Sequence, residues 1–289
     1  MILAIDCGST NHKVALFDAS LKRRAFCSKP LTYTSRNGHR AEFDAEKIWQ
    51  DTVWQIRQVC HSAKIAPSAI TSIAMASQAQ TFVILDALGR PVMPFISWAD
   101  TRADEEAIIL RRRLGREFHR HCSFPSPVPQ LQLSKLLWVR RHHPNWLTAA
   151  ARILSLPGFL ALRLGGLHLT DTNLAAMGGL YSCLEKGWWE PALNTCGLHR
   201  EQLGALVPPG HPRPARRPCP ELPLSPAVRF VFAGNDQTAG AFHAEHTNAK
   251  SVSDCLTCHG GGRPEQNVSA KMDCLQCHRV AIKCPGLRK

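Results

Sequence analysis

No apolar run in this chain of 289 residues approaches the length of about eighteen residues that a membrane-spanning helix needs. A membrane role is therefore not expected. Nor does the chain open on a basic stretch followed by an apolar one. Met1 leads directly into Ile2-Leu3-Ala4-Ile5, which argues against export and for a cytoplasmic protein. Acidic residues are scarce, 22 against 35 Lys and Arg, and the formal charge is +13. Such an excess suits nucleic acid, acidic lipid or phosphorylated small molecules. The basic runs at 111–113, 140–143 and 213–217 lack interleaved aromatics, so a solvated surface explains them better than a nucleic-acid groove.

What is present fits a globular protein: 44% hydrophobic residues, a mean hydropathy of −0.16, and length enough for one large domain or two modest ones. Of twelve cysteines, seven are scattered through the first 254 residues and five crowd into the last 35. Scattered cysteines in a reducing compartment are buried small hydrophobes as a rule.

The first eighteen residues organise the rest. Two apolar runs, 2–5 and 14–17, flank a loop of small and polar residues and read as a tight β-hairpin. Gly8 admits close backbone approach, Ser9 and Thr10 add hydroxyls, and Lys13 offers a counter-charge. Asp6, at the end of the first strand, is placed to hold magnesium against phosphates. A turn built for geometry alone explains the same residues.

Farther along, Asp44 caps an amphipathic helix of about twenty residues carrying Ile48, Trp49, Val53, Ile56 and Cys60. Residues 70–76 and 81–86 read as strands around Ser77-Gln78-Ala79-Gln80, and a third strand ends at Ile96-Ser97-Trp98. The Trp98-Ala99-Asp100-Thr101-Arg102 segment precedes a helix with Ala103, Ala107, Ile108 and Leu110 on its apolar side. Asp100 either caps that helix, the favoured reading, or joins Arg102 in an ion pair or in holding substrate hydroxyls. The middle of the chain reads as mostly helical, with runs at 131–139 and 149–164, the second broken at Pro157-Gly158. A proline-rich basic loop spans 208–226. A strand at 228–233 then empties into Gly234-Asn235-Asp236-Gln237, where an acidic residue between small neighbours either meets a substrate closely or caps the next helix. Hairpin, helix and strands in this order predict an α/β domain with a mixed sheet.

Six elements in order resemble the N-terminal domain of the FGGY carbohydrate kinases: the 6–18 hairpin, Glu42-Phe43-Asp44 with Ile48-Trp49, Ser77-Gln78-Ala79-Gln80, residues 98–102, Thr170-Asp171-Thr172-Asn173, and residues 234–237. The resemblance covers 1–244 and implies a ribonuclease-H-like (actin-like ATPase) lobe, ATP and Mg2+ as cofactors, and phosphorylation of a sugar, polyol or sugar acid. It implies that Asp236 is the catalytic base, that Asp6 orients hydrated magnesium, and that Gly8, Ser9, Thr10 and Lys13 hold the γ-phosphate. Gln78, Gln80, Asp100 and Arg102 fall on segments that line the sugar pocket. Ala79-Gln80 stands where glycerol kinases carry Arg-Glu and xylulose kinases Met-His, so the substrate class stays at ketose, polyol or sugar acid.

Residues 245–289 depart from the family. The second phosphate loop, with a Gly-Thr pair, has no counterpart in the 251–259 stretch, and family members are roughly twice as large as the matched region. The chain is expected to be half a kinase, weak or inactive alone, with the other lobe absent or supplied by a partner or second copy; the alternative is a non-catalytic sugar-binding or regulatory protein with a zinc-binding tail. Cys255, Cys258, Cys274 and Cys277 form two CxxC pairs fifteen residues apart, the spacing of a four-thiolate zinc site. Each pair is followed by His, the pattern of c-type haem attachment. A tail without cofactor, produced by a frameshift or fusion, is the third reading.

Overall fold

A computed structural model describes residues 1–122 and 124–235. β1 (Ile2–Cys7) and β2 (Asn11–Phe17) form the expected antiparallel hairpin, with Asp6 opposite Lys13. Alternate side chains, Leu3, Ile5 and Cys7 on one strand and Val14 and Leu16 on the other, are buried, as a half-covered sheet requires. β3 (Arg23–Pro30) continues antiparallel on β2. The short hairpin of β4 (Ser35–Asn37) and β5 (Arg40–Phe43) leads into α1 (Ala45–Ser62). Asp44 caps that helix as predicted, accepting from the Lys47 N–H at 2.6 Å, and its apolar face is buried against β2 and β3.

Next come β6 (Ser72–Ser77), β7 (Phe82–Leu85), β8 (Phe95–Ile96), α2 (Asp104–His121), α3 (Gln132–His142), β9 (Arg152–Ser155) and α4 (Leu156–Gly165). They are followed by β10 (Leu169–Asp171), α5 (Thr172–Met177), β11 (Tyr181–Ser182), β12 (Gly187–Trp188), α6 (Glu190–Cys196) and α7 (Arg200–Leu203). β13 (Ala205–Val207), β14 (Arg213–Pro214) and β15 (Arg229–Asn235) close the described chain.

The six-stranded mixed sheet has the order β14-β15-β6-β1-β2-β3. β15, β6 and β1 run parallel and end level with one another, Asn235 beside Ser77 and Ser77 beside Cys7. The antiparallel second sheet has the order β4-β5-β8-β7-β9. Its strand β7 is buried on both faces. Val83 and Leu85 join a core shared with α1, α4 and the first sheet, whereas Phe82 and Ile84 join a second core with α2, α3 and α6. Phe43, Phe95 and Phe159 fill the first core as a chain of ring contacts at 5.1 and 5.4 Å. No described helix is long and apolar enough to cross a membrane.

Three expectations need correction. Residues 149–164 are not one broken helix: Arg152–Ser155 form β9, paired with β7, because Ile153 and Leu154 serve opposite cores. Pro157 stands at the start of α4, where a missing N–H costs nothing, and the Ser155 hydroxyl caps that start by accepting from Gly158 N at 3.3 Å. Ile108 is 42% exposed, since the buried stripe of α2 runs through Ala107, Leu110, Leu114 and Phe118. Asp100 does not cap α2. The N-cap position is Ala103, which makes no side-chain cap bond.

Candidate active site

The level ends of the parallel strands are where an α/β sheet presents ligand-binding residues. In the β1–β2 turn, Gly8 N–H donates to Asn11 O at 3.1 Å, and a Cβ on Gly8 would stand 3.1 Å from that same oxygen. Lys13 Nζ reaches Asp6 Oδ2 at 3.3 Å. Asp6 Oδ1 is buried and has no hydrogen-bond partner among the described residues. An unpaired carboxylate oxygen beside a turn that carries the Ser9 and Thr10 hydroxyls fits a hydrated divalent cation. Tyr33 steadies the turn from outside, its hydroxyl donating to Ser9 O at 3.2 Å.

The second turn follows β6. Gln78 N–H donates to Cys7 O at 3.0 Å, and the side chain is buried between the hairpin and Ser97. Its Nε2 lies 3.5 Å from Gly8 O, and its Oε1 accepts from Ser97 Oγ at 3.4 Å. Gln80 adopts a left-handed conformation, φ 59°, that costs about 1–2 kcal/mol for a residue with a Cβ. Its Nε2 donates to Met177 O at 3.2 Å, tying the turn to the end of α5.

Asp100 and Arg102 form the buried ion pair that was the alternative to a cap. Arg102 donates from Nε to Asp100 Oδ1 at 2.8 Å and from Nη2 to Oδ2 at 2.7 Å, the forked geometry of a strong pair. Asp100 Oδ2 also accepts from Ala41 N at 2.7 Å, and Arg102 reaches Glu42. Both segments are thereby locked to β5. The Arg102 guanidinium lies over the Trp138 ring at 4.9 Å.

Two charged residues given no site role from the sequence lie at this end: Lys135, and Asp171 of the 170–173 turn. Lys135 is fully buried, and its Nζ donates to Gln80 O and Ser97 O, each at 2.8 Å. Burial pushes its pKa down to about 7, Asp100 pulling it up and Arg102 down. A lone lysine inside the apolar run 131–139 was the available signal. Asp171 caps α5, its Oδ1 accepting from Asn173 N at 2.8 Å and Leu174 N at 3.0 Å. Burial pushes its carboxyl up to about 6, against the backbone N–H groups of Leu174, Asn173 and Gly234. Asn173 Oδ1 accepts from Asn235 N at 3.0 Å, so this cap abuts the strand end that leads to Asp236. Its signal was the Asp-Thr-Asn-Leu start of a short helix.

Asp6, Gly8, Ser9, Thr10, Lys13 and Gln78 thus share one end of the sheet, with Gln80 on the adjoining turn. Asp100 and Arg102 stand behind that turn, engaged with each other. Asp236 and the candidate zinc ligands Cys255, Cys258, Cys274 and Cys277 lie outside the described residues. A cavity of about 670 Å³ opens where Arg152 begins β9, the far end of β7 and β9 from the Gln78 turn. Of its arginines, Arg163 pairs with Glu46, and Arg217 donates to Leu162 O near the end of α4.

Residues 1–243 match the FGGY family of carbohydrate kinases, N-terminal domain. The xylulose kinase of Escherichia coli K12 is 27% identical over 242 residues, 83% of this chain and 49% of the relative. The gluconokinase of Bacillus subtilis 168 is 25% identical over 210 residues, 72% of this chain and 40% of the relative. Among solved structures, a ligand-bound xylulose kinase from Lactobacillus acidophilus superposes with a TM-score of 0.73 at 23% identity. It covers 86% of this chain and 50% of that one. Plasmodium falciparum glycerol kinase with ADP gives 0.76 at 17% identity, with 84% and 50% covered. The chain therefore spans about half the length of the curated relatives it matches, and its fold is the ribonuclease-H-like mixed sheet expected of them. The extent of the match, 243 of the 289 residues, assigns this protein to the FGGY family of carbohydrate kinases.

Proposed function

We propose that the chain carries the sugar-binding and phosphate-binding half of an ATP-dependent carbohydrate kinase, which transfers a phosphoryl group to a hydroxyl of a ketose, polyol or sugar acid. The observation that carries this reading is the common level of Cys7, Ser77 and Asn235. It sets the Gly8-Ser9-Thr10 turn, Gln78 and the approach to Asp236 along one edge. In this role the turn hydroxyls and N–H groups, with Lys13, take the γ-phosphate. Asp6, whose Oδ1 is unpaired among the described residues, would hold Mg2+, which would supply charge neutralisation to the transferring group. Asp236 accepts the proton of the attacking hydroxyl. Gln78 and Gln80 face the sugar, while Asp100 and Arg102 shape the wall behind them. In-line transfer depends mainly on positioning and charge stabilisation, and these residues supply both.

The purified protein, screened for sugar-dependent ATP turnover across ketoses, polyols and sugar acids, tests the assignment. Asp236→Asn is expected to abolish whatever turnover is found, and turnover unchanged by that substitution would remove Asp236 as base. Because the chain spans about half of its relatives, these 289 residues are expected to bind sugar yet turn over ATP weakly without a partner or second copy. Robust turnover by a monomer overturns that expectation. Metal analysis of the same preparation decides whether Cys255, Cys258, Cys274 and Cys277 hold zinc.

A further inference from the structure

Helix α3 belongs to the second core, yet two side chains on one of its faces reach the sugar side of the site. Lys135 and Trp138 are three residues apart and therefore neighbours on the helix surface. Lys135 Nζ donates to the carbonyls of Gln80 and Ser97 at 2.8 Å each, and Trp138 carries the Arg102 guanidinium on its ring at 4.9 Å. The two carbonyls belong to different strand connections, β6–β7 and the stretch after β8, which are otherwise joined through side chains, the Trp98 N–H donating to Thr81 Oγ1 at 2.9 Å and Ser97 Oγ to Gln78 Oε1 at 3.4 Å. We propose that Lys135 is a positioning residue that clamps the Gln78–Gln80 turn to the 97–102 segment and so sets the geometry of the sugar pocket.

Several features support the clamp. Gln80 is held in a left-handed conformation that its side chain disfavours, so the turn needs an outside restraint. Burying an amine without partners is costly, and here both partners are backbone carbonyls of site segments rather than a carboxylate. Ser97 O also accepts from Asp100 N at 3.1 Å, which links the clamp to the Asp100–Arg102 pair. Near neutrality the amine stands between its charged and neutral forms, and both can donate to two carbonyls. The sugar arm of the test below rests on the proposed kinase reading; the exchange arm does not.

The test compares the purified chain with Lys135→Met, and with Leu137→Ala as a control in the second core that touches neither carbonyl. Hydrogen exchange reads the amides of Trp98 and Asp100, and calorimetry reads binding of D-xylulose, D-gluconate and glycerol. Lys135→Met is expected to speed exchange at Trp98 and Asp100 by about tenfold or more, and to weaken the sugar that binds by about fivefold or more, since it removes two charge-assisted bonds. Leu137→Ala is expected to speed exchange evenly across the helical layer. Site-segment exchange and sugar affinity that move no more in Lys135→Met than in Leu137→Ala overturn the clamp. If the unsubstituted chain binds none of the three probes, the sugar-kinase reading fails, and the exchange comparison still decides the clamp. If Lys135→Met does not fold, exchange in the unsubstituted chain decides: Trp98 and Asp100 should be protected as strongly as the amides of α3, and protection about a hundredfold weaker overturns the proposal.

Discussion

Asp171→Asn tests whether the charge beside the strand end of β15 is held against its own preference. Burial raises the Asp171 carboxyl to about 6 from its ordinary value of 3.8. A folded-state value above the unfolded one means that the group contributes stability fully below about 3.8, and that this contribution is lost as pH rises through about 6. At about 1.4 kcal/mol per unit, the interval costs the folded protein about 3 kcal/mol at neutral pH. Asparagine keeps an oxygen for the N–H groups of Asn173 and Leu174, so the cap survives, but its amide N–H groups enter a site where Oδ2 has no partner among the described residues. That adds a cost of about 1–3 kcal/mol which does not vary with pH. Comparing the variant–parent difference at two pH values cancels it. Urea unfolding at pH 4 and pH 7 should therefore show the variant gaining about 2 kcal/mol on the parent between the two. Parallel stability curves across that window would refute the account of Asp171.

Other perturbations follow from the same geometry. Asp100→Asn leaves the Arg102 guanidinium buried with Glu42 as its remaining carboxylate and should lower unfolding free energy by about 3 kcal/mol; a loss under about 1 kcal/mol by urea titration would contradict the burial argument. Gly234→Ala forces a Cβ onto a backbone at φ +78 and to 3.0 Å from Asn173 Oδ1. It should cost about 1–2 kcal/mol from the left-handed conformation alone, read as a fall in the urea midpoint. Tyr33→Phe removes the hydroxyl bonded to Ser9 O and should cost about 1 kcal/mol, read as faster hydrogen exchange at Leu31, whose N–H bonds Thr10 O.

Elements whose signal lies within a few residues were legible. The hairpin needed only alternating apolar residues around Gly8, and α1 needed Asp44 followed by an apolar stripe; both formed as read. Strand β9 was missed because Arg152–Ser155 is set by pairing with β7, some seventy residues earlier in the chain, and an apolar run that short fits helix or strand alike. Asp100 misled for a related reason. A carboxylate before a helix is a cap by local rule, but here the Ala41 N–H of β5 and the side chain of Arg102, two residues on, take it instead. The 2–17 hairpin was readable as two strands around a turn of small and polar residues, whereas Lys135 showed only as a lone lysine in an apolar run, because its partners are backbone carbonyls that residue types do not reveal.

That contrast bears on how the site is held. The turns at 8–10, 78–80 and 97–102 contain few apolar side chains and cannot fix themselves by burial. Their positions depend instead on buried polar links: Tyr33 to Ser9, Gln78 to Ser97, Lys135 to Gln80 and Ser97, and Asp100 to Ala41 and Arg102. Such links are directional where apolar packing is not, so they specify distances between these turns within tenths of an ångström. They also fail cooperatively, because removal of one partner leaves another buried and unsatisfied. Substitutions in this network should therefore couple. Tyr33→Phe combined with Lys135→Met, both acting through Ser97, is expected to depart from additivity by about 0.5 kcal/mol or more. Strict additivity would mean that the turns are positioned independently, and that the network is a set of separate braces.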